Sequence, residues 1–329
     1  MRRVLSLLLK LAVSAGLLYL SLRRVDIDAL GQQLVKLDWK WASIALLICC
    51  AQVPLSAWRW REIIMACGST LSRTMAMRYT IIGQFFSQVL PSTVGGDAVR
   101  IWLLARGGAG WPTAIYSVLI DRVVGVTVLA VIVTACLPWT FELVRDGAAR
   151  AALLLIGLGA MGAALVFLVL GAPQLKILDR WWATRHLATA SRLAWRLCSS
   201  PAALRVAVFS FAIHFMTVAL AWSAAIAVHA SITFSQTLYL FLPVILIATI
   251  PISIAGWGVR ESAMVLAFSY AGLAETDGLI VSVIYGLTTL TVGVIGGIVW
   301  VASGYRWGSV KTMEAETLAH DPSVNLSKP

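Results

Sequence analysis

The 329-residue chain is 60% hydrophobic and only 12% charged, against roughly 25% charged residues in a soluble domain. That composition describes an all-α polytopic membrane protein and leaves no room for a sizeable soluble domain beside the spans. The formal charge of +11 lies in short loops between apolar runs, the pattern of topology signals and anionic-lipid contact; nucleic-acid binding would need a basic face clustered on a soluble module, and none is visible.

A span needs about 20 mainly apolar residues. The first candidate is 4–22, interrupted only by Lys10. It follows Met1, Arg2 and Arg3 and lacks a convincing cleavage site before Arg23 and Arg24, so it reads as an uncleaved span. Residues 23–40 alternate charges with Val25, Ile27, Leu30, Leu34 and Leu37 on one helical face, as in a surface-lying segment. Span 2 covers about 41–58, with Trp39 and Trp41 at one interface and Trp58 and Trp60 at the other. Arg59, Arg61, Arg73 and Arg78 follow and read as a topology and headgroup signal.

Residues 79–90 are apolar but too short to span, and Leu90–Arg100 then places Pro91, Gly95, Gly96, Asp97 and Arg100 in otherwise apolar sequence. Two short helices around a Pro/Gly break predict a re-entrant hairpin, tolerated at membrane depth only where protein or a polar cavity surrounds it. Span 3, about 112–138, starts after Trp111 with Pro112 and contains Asp121 and Arg122. Span 4 is about 150–172, and a basic loop follows at 173–203, with Lys176, Arg180, Arg185, Arg192 and Arg196. Span 5 is about 204–229 with His214 inside, residues 237–273 form a second broken segment, and span 6 is about 279–302. The domain thus runs over 1–305, with pseudo-repeats at about 1–140 and 150–305, and 306–329 is expected to be a disordered cytoplasmic tail.

The second broken segment repeats the first. Aligned from Pro91 and Pro251, the pairs Gly96/Gly256, Val99/Val259 and Arg100/Arg260 are identical, and Thr93/Ser253, Val94/Ile254 and Gly95/Ala255 are similar. Gly258 and Glu261 complete the second copy. Three spans per half insert the second half upside down, which gives six spans plus two broken-helix hairpins in inverted repeats, an arrangement found in many transporters. Grouping the basic loops 59–78 and 173–203 with both termini makes that side cytoplasmic; segment 23–40, with four basic residues, falls on the other side against the rule.

Charges at membrane depth cost at least ~2.5 kcal/mol each on insertion scales and are functional candidates. They are Asp97 with Arg100, Asp121 with Arg122, and Arg260 with Glu261. Asp97 and Arg100, three apart, share a helical face. A glycine-rich break with free N–H groups beside an arginine fork suits a phosphate, and a lipid phosphodiester is the obvious anion here. The same six residues could instead be ion pairs that hold the hairpins together, and the sequence leaves both readings open. Gln84, Ser87, Gln88 and Ser92 could line the first hairpin or serve as interhelical hydrogen bonds. His214 reads chiefly as a packed polar residue, and Trp257 could cap a cavity or only pack.

No hydrolase, nucleotide or metal motif is present. The five cysteines show no CxxC or His/Cys spacing. The expectation is a non-enzyme without cofactor or metal.

Leu90–Arg100, the later Asp121-Arg122 and Pro251–Ser262 together resemble the transmembrane, flippase-like region of lysylphosphatidylglycerol synthases, over about residues 5–305. The resemblance implies movement of a lipid between leaflets of the cytoplasmic membrane, with roles for Asp97, Arg100, Arg260 and Glu261. The soluble aminoacyl-transfer domain of the full synthases is lacking, so lysyl transfer is not implied. Membrane lipids are the expected partners. The alternatives are an accessory protein that docks a lipid- or glycan-synthesising enzyme, and a small-solute transporter.

Overall fold

A computed structural model describes residues 36–90, 95–172, 182–250 and 256–304. The predicted span 4–22, most of the surface segment 23–40, Pro91, Pro251 and the tail 306–329 lie outside these residues. Ten α-helices are described: α1 (Trp39–Ala66), α2 (Arg73–Val89), α3 (Gly95–Leu104), α4 (Trp111–Leu143), α5 (Gly147–Val169), α6 (Trp182–Cys198), α7 (Ala202–Ala227), α8 (Phe234–Ala248), α9 (Val259–Tyr270) and α10 (Glu275–Ala302). No strand occurs among the described residues. Five helices, α1, α4, α5, α7 and α10, are long and apolar enough to cross a membrane.

The order long, short, short, long occurs twice, in α1–α4 and again in α7–α10. The packing repeats with it: α2 lies on α10 and α8 lies on α4, each short arm against the long helix of the other half. The two leading helices, α1 and α7, make the most extensive contact among the described helices and run antiparallel. At one end the Asp38 N–H donates to Ala227 O (2.9 Å). In the middle Gln52 Nε2 donates to Thr217 Oγ1 (3.1 Å), and at the other end Arg205 pairs with Glu62 (2.7 Å). Equivalent helices that run in opposite directions are what an inverted repeat requires.

Helix α1 shows why the sequence-predicted end at Trp58 was too early. Its buried residues Ala45, Cys49, Val53, Ala57, Trp60 and Ile64 recur about once per turn and continue past the tryptophans. Trp60, Ile63 and Ile64 are fully buried, so core packing carries the helix through Arg59 and Arg61. At 28 residues it is roughly 42 Å long, well beyond a hydrocarbon thickness of roughly 30 Å. Arg61 Nε then donates to Leu71 O (2.7 Å) and ties down the turn that follows.

The basic loop 173–203 is partly helical. Within α6, Ala188, Ser191, Ala194 and Leu197 are buried at helical spacing, while Arg185 and Arg196 are exposed. Ser191 Oγ (2.9 Å) and Trp195 Nε1 (2.8 Å) both donate to Leu168 O and fasten α6 to the end of α5. Charge density masks such a helix in sequence because its apolar face is built largely of alanine.

The two breaks use glycine for different reasons. Gly256 (φ 81°) and Gly258 (φ 85°) adopt positive φ, where a side chain is strained. Gly96 instead lets α3 cross α2 closely: a Cβ there would overlap Ser87 Oγ and Gly83 O. Helix α3 passes through a π-turn at Ala105–Ala109 into α4, which carries its proline in the first turn.

Candidate functional site

Asp97 stands in the first turn of α3, where the helix dipole favours a negative charge. It accepts from Arg100 Nη1 (3.3 Å) on its own helix, and from Arg122 Nε (2.6 Å) and Nη2 (3.0 Å) on α4. Asp121, one residue earlier on α4, faces the other way round the helix. It accepts from Arg100 Nη2 (2.9 Å) and from Arg59 Nε (2.9 Å) on α1. Five charged groups from three helices therefore form one chain: Arg122, Asp97, Arg100, Asp121, Arg59. Both carboxylates and Arg100 are buried. Three cations against two carboxylates leave one positive charge in excess.

Arg100 is also held by its faces. Its guanidinium carbon lies 4.1 Å from the Trp60 ring centroid, and the Trp60 indole donates to Ser117 Oγ (3.3 Å). A side chain at Gly83 would press on the aliphatic stem of Arg100, so the close crossing of α2 and α3 also seats this arginine. Its Nε has no hydrogen-bond partner although it is buried.

The second break repeats the theme with a neutral pair. Arg260 Nη2 binds Glu261 Oε1 (2.6 Å), Arg260 Nε donates to Ser282 Oγ (2.9 Å), and Ser282 Oγ donates to Glu261 Oε1 (2.9 Å). The Gly258 N–H, a donor that the sequence offers to an external anion, goes to Glu261 Oε2 (2.7 Å). Glu261 thus caps α9 and is wholly buried. Arg260 lies between the rings of Trp257 and Tyr285, 5.1 Å from each centroid. The identically placed arginines of the two motifs share one design, a carboxylate at the head and aromatic faces beside the guanidinium.

Two chambers that share lining residues lie between elements of the two halves. The larger, about 690 Å³, is lined from one side by Asp97 and Arg122 and from the other by Gly256, Arg260 and Tyr285. The smaller, about 320 Å³, lies behind the network and is lined by Arg59, Thr80, Arg100, Asp121 and His214 among others. Gln84, Ser87, Asp97, Arg122, Thr249 and Thr289 line both. Glu261 lines neither.

Comparison with protein families decides the affiliation: the family described as Lysylphosphatidylglycerol synthase TM region matches residues 7–297. The chain belongs to that family. It is a multi-pass membrane protein of the lysylphosphatidylglycerol synthase TM region type, with the matched segment spanning both repeats and every residue of the charged network. A comparison with curated proteins gives no match.

Within this family member, all six charged residues singled out in sequence meet in two clusters, four in the first and two in the second. Arg59 was read as a loop charge and is instead the fifth member of the network, on a helix that continues through it. Ser282 and Tyr285 were also missed; their signal was polarity inside the otherwise apolar span 6. His214 Nε2 lies 3.0 Å from Gly125 O, a packed position that also borders the smaller chamber.

Proposed function

We propose that the protein moves a lipid, a phospholipid or an isoprenoid-linked lipid, between the leaflets of the cytoplasmic membrane. The observation that carries this reading is the 690 Å³ chamber that both broken-helix pairs line. Its size falls within the roughly 300–1,000 Å³ of small-ligand pockets, enough for a headgroup while acyl or isoprenoid chains stay in lipid. Its wall is mixed as such a path requires: Ile101, Ile115, Val118 and Leu119 are apolar, and Arg122 and Arg260 are charged. Arg122 is the accessible cation of the network, its side chain 53% exposed although its Nε and Nη2 are committed to Asp97.

The inverted repeat supplies the means. Two packings related by the swap of the halves would open the chamber to opposite leaflets. With no nucleotide motif in the sequence, movement is downhill or ion-coupled.

The test is a dithionite-quench assay in proteoliposomes with fluorescent anionic, zwitterionic and isoprenoid lipids. The expected result is loss of fluorescence beyond the outer-leaflet half with wild-type protein. Rates equal to those of protein-free vesicles for every lipid would end this reading. A docking protein for a lipid-synthesising enzyme would show that flat result, with hairpin substitutions lowering complex formation instead.

A further inference from the structure

We infer that the smaller chamber is an anion site, built to hold one phosphate-type negative charge, and that it selects monoanionic headgroups over zwitterionic ones. The inference rests on the translocation reading for the idea that a headgroup reaches this chamber. Three observations lead to it. The charged network that walls the chamber has Arg59, Arg100 and Arg122 against Asp97 and Asp121, one positive charge too many at membrane depth. Second, Arg100 on the chamber wall is not fully satisfied by its two carboxylates: its buried Nε has no hydrogen-bond partner, and buried donors are rarely left so. Third, the second cluster does not supply the missing anion, because Arg260 and Glu261 neutralise each other.

Arg59 sets the sign. Without it Asp121 would still be paired through Arg100 at 2.9 Å, so Arg59 is more than the carboxylate needs. It comes from α1, outside both glycine-rich motifs, and brings the excess charge to the back of the chamber. A phosphodiester with one negative charge would cancel it, and a zwitterionic headgroup would carry in an unmatched cation. Guanidinium groups suit the task because their planar forks match phosphate oxygens and stay charged.

The experiment measures lipid binding to the full chain in detergent by native mass spectrometry, and flipping in vesicles in parallel. The probes are phosphatidylglycerol and phosphatidylcholine of equal chain length, with inorganic phosphate and glycerophosphoglycerol as soluble competitors. Wild type should favour phosphatidylglycerol by about tenfold or more, a modest free-energy difference. Arg59→Gln should abolish the preference and Arg59→Lys should retain most of it. Asp121→Asn, which adds a second excess charge, should strengthen the preference. A merely structural network would weaken binding of both lipids in all three variants, and melting curves identify any variant that fails to fold.

Competition by inorganic phosphate would show a site for the free anion, and competition by glycerophosphoglycerol alone a site for a headgroup phosphodiester; both support anion recognition. Equal binding of the two lipids by wild type, or an unchanged preference in Arg59→Gln, would overturn the inference. Selective binding without flipping would overturn the translocator reading alone. Flipping without selectivity would overturn this inference alone.

Discussion

Removal of the Asp121 carboxylate is the perturbation with the clearest expected magnitude. Asp121 is paired at 2.9 Å with both Arg59 and Arg100, and its side chain is only 4% exposed. At an effective dielectric of about 20, each contact near 4 Å between charge centres contributes about 4 kcal/mol before desolvation. Arg100 keeps Asp97 at 3.3 Å after the change, so Arg59, left with Ser210 at 3.4 Å, is the stranded charge. Breaking a buried pair from one side costs about 3–5 kcal/mol, and Asp121→Ala should fall in that range. Glu62→Ala is the contrast, because its partner Arg205 is half in solvent; the expected loss is about 0.2–1 kcal/mol. Reversible unfolding in mixed micelles by SDS titration reads both. The double variant Arg59→Met/Asp121→Ala should recover most of the loss, since it removes the stranded cation. Strict additivity of the two single changes, or an Asp121→Ala loss no larger than that of Glu62→Ala, would refute the reasoning.

Four further outcomes follow from local geometry and burial. Gly96→Ala puts a methyl into Ser87 Oγ and the Gly83 carbonyl and should abolish folded protein on size exclusion. Gly159→Ala, with open space around its Cβ position, should be neutral or stabilising by up to about 1 kcal/mol. Gly286→Ala meets the Trp257 ring at 2.6 Å and the Arg260 guanidinium, side chains that can shift, so flipping should fall severalfold while the melting temperature changes little. Burial pushes the Cys67 thiol, just past the end of α1, up to about 11. Only the thiolate is nucleophilic, so maleimide labelling of a variant with Cys67 as its sole cysteine should still climb about tenfold per pH unit between pH 9 and 10; a plateau near pH 9 would contradict this.

Much of the architecture was legible because membrane solubility forces it into the sequence. A span must be continuously apolar, so five predicted spans correspond to helices with boundaries shifted by only a few residues, α1 excepted. Its extension was hidden because Trp58, Trp60 and two arginines look like an interface, and only the turn-by-turn recurrence of Trp60 and Ile64 argues otherwise. The repeat was legible in Pro91/Pro251 and Arg100/Arg260, and charges in apolar runs named most members of the two buried ion-pair clusters. The pairing scheme was not legible. Asp121 and Arg122 are neighbours in sequence yet face different partners, because adjacent helical residues lie about 100° apart. The close packing at Gly83 and Gly286 depends on which helices cross there, information carried by no local pattern.

The chamber between the two broken-helix pairs, proposed as the lipid path, can be blocked from within. Thr289 lines both chambers, whereas Leu155 on α5 is 71% exposed on the outer face. In a cysteine-free background, Thr289→Cys and Leu155→Cys proteoliposomes would be treated with a bulky methanethiosulfonate reagent and assayed for dithionite-accessible lipid. Modification at position 289 should stop flipping, reduction should restore it, and modification at 155 should leave it unchanged. Undiminished flipping with position 289 fully modified would mean that lipid does not pass through this chamber.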